Sequence, residues 1–432
     1  MHTKKALLVL QAMCGLALAA STSQLAAEEL SEGSVINASN LDQMLGQTFD
    51  GHTISDLLTK RHLSLIENWN LEIELGNVNH FHIDPNLLEL TKQHAGEARL
   101  NPETRQLENW SGAGIPFPPD DIDWEENPYA AADKLLWNFW VSQMDGNWTE
   151  FPFTYLLIDG NNGLERTQDW YWLRYKFMGR FGEGVEPNIT ASGEDVLHRT
   201  LIAARAPRDI RGLGTFFEFF LSEQQTERAF AYLPAIRRVR RLSGGAWMDP
   251  IGATDQLNDD INIWNTYPNR YPENKVIERR WILHPVGPTG WASYRDRSEL
   301  DERYPTVDHD TPPYWHPKNI KWAPREVYVI DAPAPDMHPY GRKLVYYDVK
   351  APWIYMGETF DKAGEFWKWI VWVDKSVEGE DGTKHVIPFQ GMVMDYQRMH
   401  ATIFVSTPEW RFNPQGIGAN DVTARQMEQL AR

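Results

Sequence analysis

From Phe151 to Val405 the chain is cut into short runs of aromatic and β-branched residues, and most gaps between them are too short for a crossover helix. That spacing constrains the fold more than any other feature. Parallel neighbours need a connection of about a dozen residues or more. Closely spaced strands must instead turn back and pair antiparallel. The runs are Phe151 to Asp159, Arg166 to Phe177, Arg199 to Ala206, Gly214 to Leu221, Arg228 to Leu233 and Ile236 to Leu242. They continue with Val276 to Leu283, Arg325 to Ile330, Lys343 to Val349, Trp353 to Phe360, Phe366 to Val373, Ile387 to Tyr396 and Ala401 to Val405.

Alternation within two runs says what the faces meet. Tyr171, Leu173, Tyr175 and Phe177 share one face, and Trp170, Trp172, Arg174 and Lys176 the other. In the second run Trp367, Trp369, Val371 and Val373 oppose Phe366, Lys368, Ile370 and Trp372. A sheet with one wet face alternates apolar with polar; here both faces are largely apolar. Either helices cover the second face, or a curved sheet holds a ligand on its concave side.

The remaining segments read differently. Residues 40 to 105 are polar and helical in pattern, with Thr53 or Ser55 as a cap for a helix through Leu57, Leu58, Leu63 and Ile66. A short helix follows Asp84-Pro85, a loop spans 101 to 128, and Ala130 to Met144 forms another helix. Residues 285 to 324 hold seven prolines with Trp291, Trp315 and Trp322, which predicts a long ordered insertion packed across the sheet. The tail after Trp410 is polar and ends in a helix from Asp421 to Leu430.

The first 27 residues have the pattern of a cleaved secretory signal. Lys4 and Lys5 precede an apolar run from Ala6 to Ala20, and small residues follow at two cleavage sites. Cys14 lies inside that run after Met13, the wrong context for lipid attachment. It is the sole cysteine, so the exported chain has neither disulfides nor Cys-based metal sites. The expected location is the periplasm, and no later run is long enough to make an integral membrane protein. The net charge of -18 becomes -20 without Lys4 and Lys5, and so acidic a surface disfavours nucleic acid and bare anionic lipid as partners.

The 19 Trp among 432 residues fit a β-rich core or an aromatic surface or cavity for a ring-bearing or lipid ligand. Motifs for a nucleophile elbow, zincin, P-loop or dinucleotide fold are missing. His80, His82 and Asp84 alternate as strand metal ligands would, but with no other fixed ligand in view they read as a polar strand edge or loop, and no metal or other cofactor is expected. The acidic stretch from Asp120 to Glu126 lacks calcium-loop spacing. The sharpest local feature is Arg237, Arg238, Arg240 and Arg241 in an acidic chain, with Asp249, Asp255, Asp259 and Asp260 close behind. Arg237 and Arg241 are expected to form a structural ion-pair cluster with Asp255, Asp259 and Asp260. Arg238 and Arg240 either join it or meet an anionic head group.

These strings resemble a known family. Arg208-Asp-Ile-Arg-Gly-Leu-Gly-Thr215, Ala231-Tyr-Leu-Pro-Ala-Ile-Arg-Arg-Val-Arg-Arg241, Gly252-Ala-Thr-Asp255, Asp259-Asp260, Gly114-Ile-Pro-Phe-Pro118 and Trp137-Asn138 look like a proteobacterial family of unknown function labelled outer-membrane lipoprotein-sorting-like. The likeness runs from about residue 50 to 410. The Pro/Trp-rich insertion and the Ser243 to Met248 stretch depart from it. The resemblance implies a fold like the lipoprotein carriers LolA and LolB: an α+β protein whose curved antiparallel sheet forms an incomplete β-barrel, with helices plugging or covering the concave face. It also implies company with RND-type transporters of hydrophobic compounds. On that basis the chain divides into a signal, 1–27, a helical and loop segment, 28–147, a half-barrel, 148–410, carrying the insertion 285–324, and a tail, 411–432. The leading expectation is a non-catalytic carrier for a lipid or other hydrophobic molecule, with Trp172, Tyr175, Trp264, Trp281, Trp367 and Trp369 lining its site. An envelope hydrolase and an assembly scaffold are the alternatives; an aromatic cavity large enough for an acyl chain or a ring system favours the carrier, and a filled, solid barrel the scaffold.

Overall fold

The computed structural model describes residues 28–77, 82–191, 194–222, 225, 227–242, 245–288 and 290–430. The expected signal and His80 lie outside them. Sixteen strands form one sheet. In chain order they are β1 (Val35–Ile36), β2 (Ile73–Leu75), β3 (Trp148–Asp159), β4 (Gly163–Lys176), β5 (Val196–Ala206), β6 (Gly214–Phe220), β7 (Arg228–Leu233) and β8 (Arg238–Arg241). Then come β9 (Lys275–Val286), β10 (Lys321–Pro333), β11 (Arg342–Asp348), β12 (Ile354–Phe360), β13 (Phe366–Glu378), β14 (Lys384–Asp395), β15 (His400–Ser406) and β16 (Arg411–Phe412).

Sequential neighbours pair antiparallel from β10 through β15, β15 then pairs with β3, and the meander continues to β8. Among the described residues, the one parallel pairing within this sheet joins β2 to the start of β10. Among the described residues β8 and β9 each have one neighbour, so the sheet does not close. The fold is thus α+β, built on a curved, open antiparallel sheet. All thirteen strands expected between Phe151 and Val405 form.

Both faces are covered, as their apolar character requires. On the inner face Phe151, Phe153 and Tyr155 of β3, Trp170 of β4, Ile370 and Trp372 of β13 and Phe404 of β15 share a core with the helix Pro128–Val141. That helix is apolar nearly all round, as a helix buried within a fold must be. Pro128 starts it, and the Asn127 side chain caps it by accepting from the Ala130 N–H at 3.0 Å. On the outer face Trp369, Val371, Met392 and Ile403 pack against Ile54, Leu65 and Ile66 and against the insertion's Tyr304, Val307 and Trp315. The tail covers the other end, with Val422 and Met427 against Leu173, Tyr175 and Phe216.

One helix boundary differs from the sequence reading. The chain breaks between the helices Ile54–Leu57 and Lys60–Trp69, and Thr59 caps the second, accepting from the His62 N–H at 3.2 Å. Capping competes with continuing the helix, and the break sets His62 edge-on to Trp322 and Trp369. Burial drives its pKa down to about 3, and that of His316, which contacts the Trp69 carbonyl, to about 4. Burial and nearby Lys176 take His385, stacked on Phe412, to about 4 as well.

These imidazoles are neutral when folded and titrate near 6.5 when unfolded. Their contribution is therefore present above about pH 6.5 and lost as pH falls toward about 4. The urea midpoint is expected to drop across that window, and His385→Gln to flatten part of the slope. A midpoint independent of pH there contradicts this account of the outer layer.

Candidate ligand cavity

Beneath the inner helix the packing leaves a cavity of about 50 Å³. Its walls are aromatic. Phe151 stacks on Trp410 at 3.6 Å between centroids, Phe153 meets Phe404 at 4.9 Å, and Trp372 meets Phe404 at 5.3 Å. Gly391 makes room for one wall: it lies opposite Trp372 in the β13–β14 register, and a Cβ there would sit 2.7 Å from the indole. A second chamber of about 30 Å³ shares Trp172, Arg174 and Ile261 with the first. Trp172, which is half-buried, thus borders both chambers.

One end of the cavity is charged. Arg174 and Lys176 follow Trp170 and Trp172 in phase and so point inward. The loop after the inner helix supplies their counter-charge, with Asp145 Oδ2 3.1 Å from Arg174 and Oδ1 3.0 Å from Lys176. Burial opposes ionisation of Asp145, but Lys176 and Arg174 outweigh it and hold its carboxyl below the usual range. Burial lowers the Lys176 pKa, with Asp145 working against that shift. Gln143 bonds to Arg174 through its side chain and to Lys176 through its carbonyl.

Some of the lining residues also carry polar atoms without protein partners. Trp372 Nε1, Trp410 Nε1 and Gln256 Nε2 are buried donors, and Asn262 Oδ1 a buried acceptor, none hydrogen-bonded among the described residues. Gln256 uses its oxygen to accept from Tyr155 at 2.9 Å. Unsatisfied buried groups are costly, so a ligand or water that meets them gains from doing so.

The expected site residues scatter. Trp172 borders both chambers. Trp264 is fully buried on the inner face, donating to the Thr266 carbonyl and stacking on Tyr271. Tyr175 faces outward against Trp148 and the tail. Trp369 and Trp281 also belong to the outer core, beside Trp322 and His52. Trp367 donates to Asp395 at 2.8 Å. None of the last five lines the cavity.

The ion-pair cluster is corrected outright. Arg237, Arg238, Arg240 and Arg241 stand exposed on the edge hairpin. Asp255 pairs instead with His400 at 2.5 Å and accepts from Thr402, while its carbonyl accepts from Lys368. Asp259 and Asp260 bind Lys343 at 2.8 and 3.3 Å, with Tyr271 and Tyr340 donating to them. The physical reason is direction. Residues 255–260 fold under the inner face, where buried Lys343 and Lys368 need counter-charge, and the arginines lie on the solvated rim. Of the metal candidates, His82 is exposed and Asp84 caps the helix Pro85–Gln93. Among the described residues no three His, Cys, Asp or Glu side chains group to hold a metal.

The family profile described as "Protein of unknown function (DUF1329)" matches residues 35–426. The chain belongs to this family. The fold is similar to that of a DUF1329 family protein from Desulfovibrio piger, at 14% identity and TM-score 0.44, covering 69% of this chain and 99% of that one. A LolA superfamily protein from Nitrosomonas europaea is similar at 10% identity and TM-score 0.37, covering 68% and 98%. No curated protein matches the chain.

The Asp145 ion triad gives a stability test. Asp145→Asn strands two buried cations and is expected to cost about 3–5 kcal/mol in urea denaturation. Pairing it with Lys176→Met is expected to recover part of the loss. A cost below about 1 kcal/mol, the value of an exposed pair, contradicts the buried arrangement.

Proposed function

We propose that this family member is an exported, non-catalytic carrier or binding protein for a hydrophobic molecule that bears hydrogen-bond acceptors. The observation that carries the reading is the aromatic cavity, whose lining residues Trp372, Trp410 and Gln256 also carry buried donors without protein partners among the described residues. Apolar walls with a few convergent polar groups are what a small-molecule site requires. The donors call for carbonyl, ester or hydroxyl oxygens on the cargo. The signal-like leader supports a periplasmic setting, and among the described residues no helix is long and apolar enough to cross a membrane. An RND-type envelope transporter is the partner suggested by the family resemblance.

The described cavity is small. About 50 Å³ holds a few waters at ~10–15 Å³ each, not an acyl chain. A larger cargo therefore requires the wall to move, and the carrier reading assigns that movement to Trp172, which lines both chambers. The same tight interior favours a second reading, an assembly scaffold whose aromatic core serves stability alone.

Native mass spectrometry on protein isolated without detergent, with tryptophan fluorescence during titration by a lipid extract, separates the two. The carrier reading expects a co-purifying small molecule and saturable quenching. Gly391→Ala, which pushes Trp372 into the cavity, is expected to weaken binding by about tenfold, or ~1.4 kcal/mol. Apo protein alone with no quenching by any lipid fraction favours the scaffold.

A further inference from the structure

We propose that the Arg-rich end of the sheet is a docking surface for anionic phospholipid. The antiparallel register brings two turns to that end, since Gly214 lies opposite both Ala203 and Tyr232. The β5–β6 turn carries Arg208 and Arg211, with Arg205 at the end of β5 beside it, and the β7–β8 hairpin carries Arg237, Arg238, Arg240 and Arg241. All seven are exposed. None forms an ion pair among the described residues; Arg205 lies over the Tyr171 ring at 4.3 Å. Asp209, the one carboxylate in the first turn, is taken by Arg166 at 3.0 Å. In a chain of net charge -18 this is a concentrated field of the opposite sign.

The patch also has an apolar component. Ile236 and Val239, 45% and 40% exposed, alternate with the arginines at the hairpin tip. Guanidinium groups match phosphate oxygens bidentately. Apolar side chains framed by cations suit the boundary between head groups and acyl chains. A protein strand adding to the free edge of β8 is the competing occupant. Charged side chains along an edge oppose strand addition, which favours lipid. The patch thus localises an attraction that the molecule's overall charge opposes. It also places the cavity usefully: Thr200 and Ile202 of β5 and Phe217 of β6 wall the second chamber, and both strands run to the arginine-bearing turn. The proposal holds whether or not the cavity carries cargo.

Sedimentation of the full-length mature chain with vesicles tests it. The probes are equal-part phosphatidylglycerol–phosphatidylcholine vesicles and pure phosphatidylcholine vesicles. Binding is expected to the anionic vesicles and not the neutral ones, and to fall as salt rises. Replacing Arg237, Arg238, Arg240 and Arg241 by Gln is expected to lower it by about tenfold or more. Ile236→Asp is expected to lower it while circular dichroism stays unchanged. Equal binding to both vesicles, no binding, or wild-type binding by the four-Gln variant overturns the proposal. So does arginine-dependent crosslinking to an acidic envelope protein without vesicle binding.

Discussion

The structure depends on burying both faces of one long antiparallel sheet. Closely spaced strands with no crossover helices leave such a sheet open and curved, and its aromatic residues leave neither face fit for water. Every other segment answers that requirement. The helix Pro128–Val141 fills the inner face. Residues 28–77 and the Pro/Trp-rich insertion seal the outer face around Trp315, Trp322 and Trp369, and the tail seals the rest through Val422 and Met427. The insertion is thus structural cladding that buries tryptophans, as its composition demanded.

The interior is not uniformly oily, and its charges are internally answered. Arg174 and Lys176 meet Asp145; Lys343 meets Asp259 and Asp260; His400 meets Asp255. Breaking such buried pairs is expensive, so these groups pin loops 143–147 and 255–263 beneath the inner helix. The aromatic cavity is lined from both loops, by Asp145 and by Gln256, Ile261 and Asn262, and Trp172 and Trp410 are its half-buried tryptophans.

Strand positions were legible because period-two alternation is local, and so was the two-sided burial, through Trp170 and Trp172 opposing Tyr171 and Leu173. The carboxylates were misassigned because sequence proximity joined Asp255, Asp259 and Asp260 to the arginine string, while the fold turns them to Lys343 and Lys368 from strands far along the chain. A usable signal existed. Arg174 and Lys176 in phase with two tryptophans had to be buried cations, and buried cations need a nearby carboxylate. Which tryptophans face the cavity was not legible, since Trp369 and Trp372 differ only in the face that a long-range layer happens to cover.

Fluorine NMR on fluorotryptophan-labelled protein, with resonances assigned by single Trp→Phe variants, tests the central claim most directly. On titration with a hydrophobic ester, the inner-face account predicts shifts at Trp172, Trp372 and Trp410, with Trp281 and Trp369 unmoved. Shifts confined to the outer-face tryptophans, or none at all, contradict it.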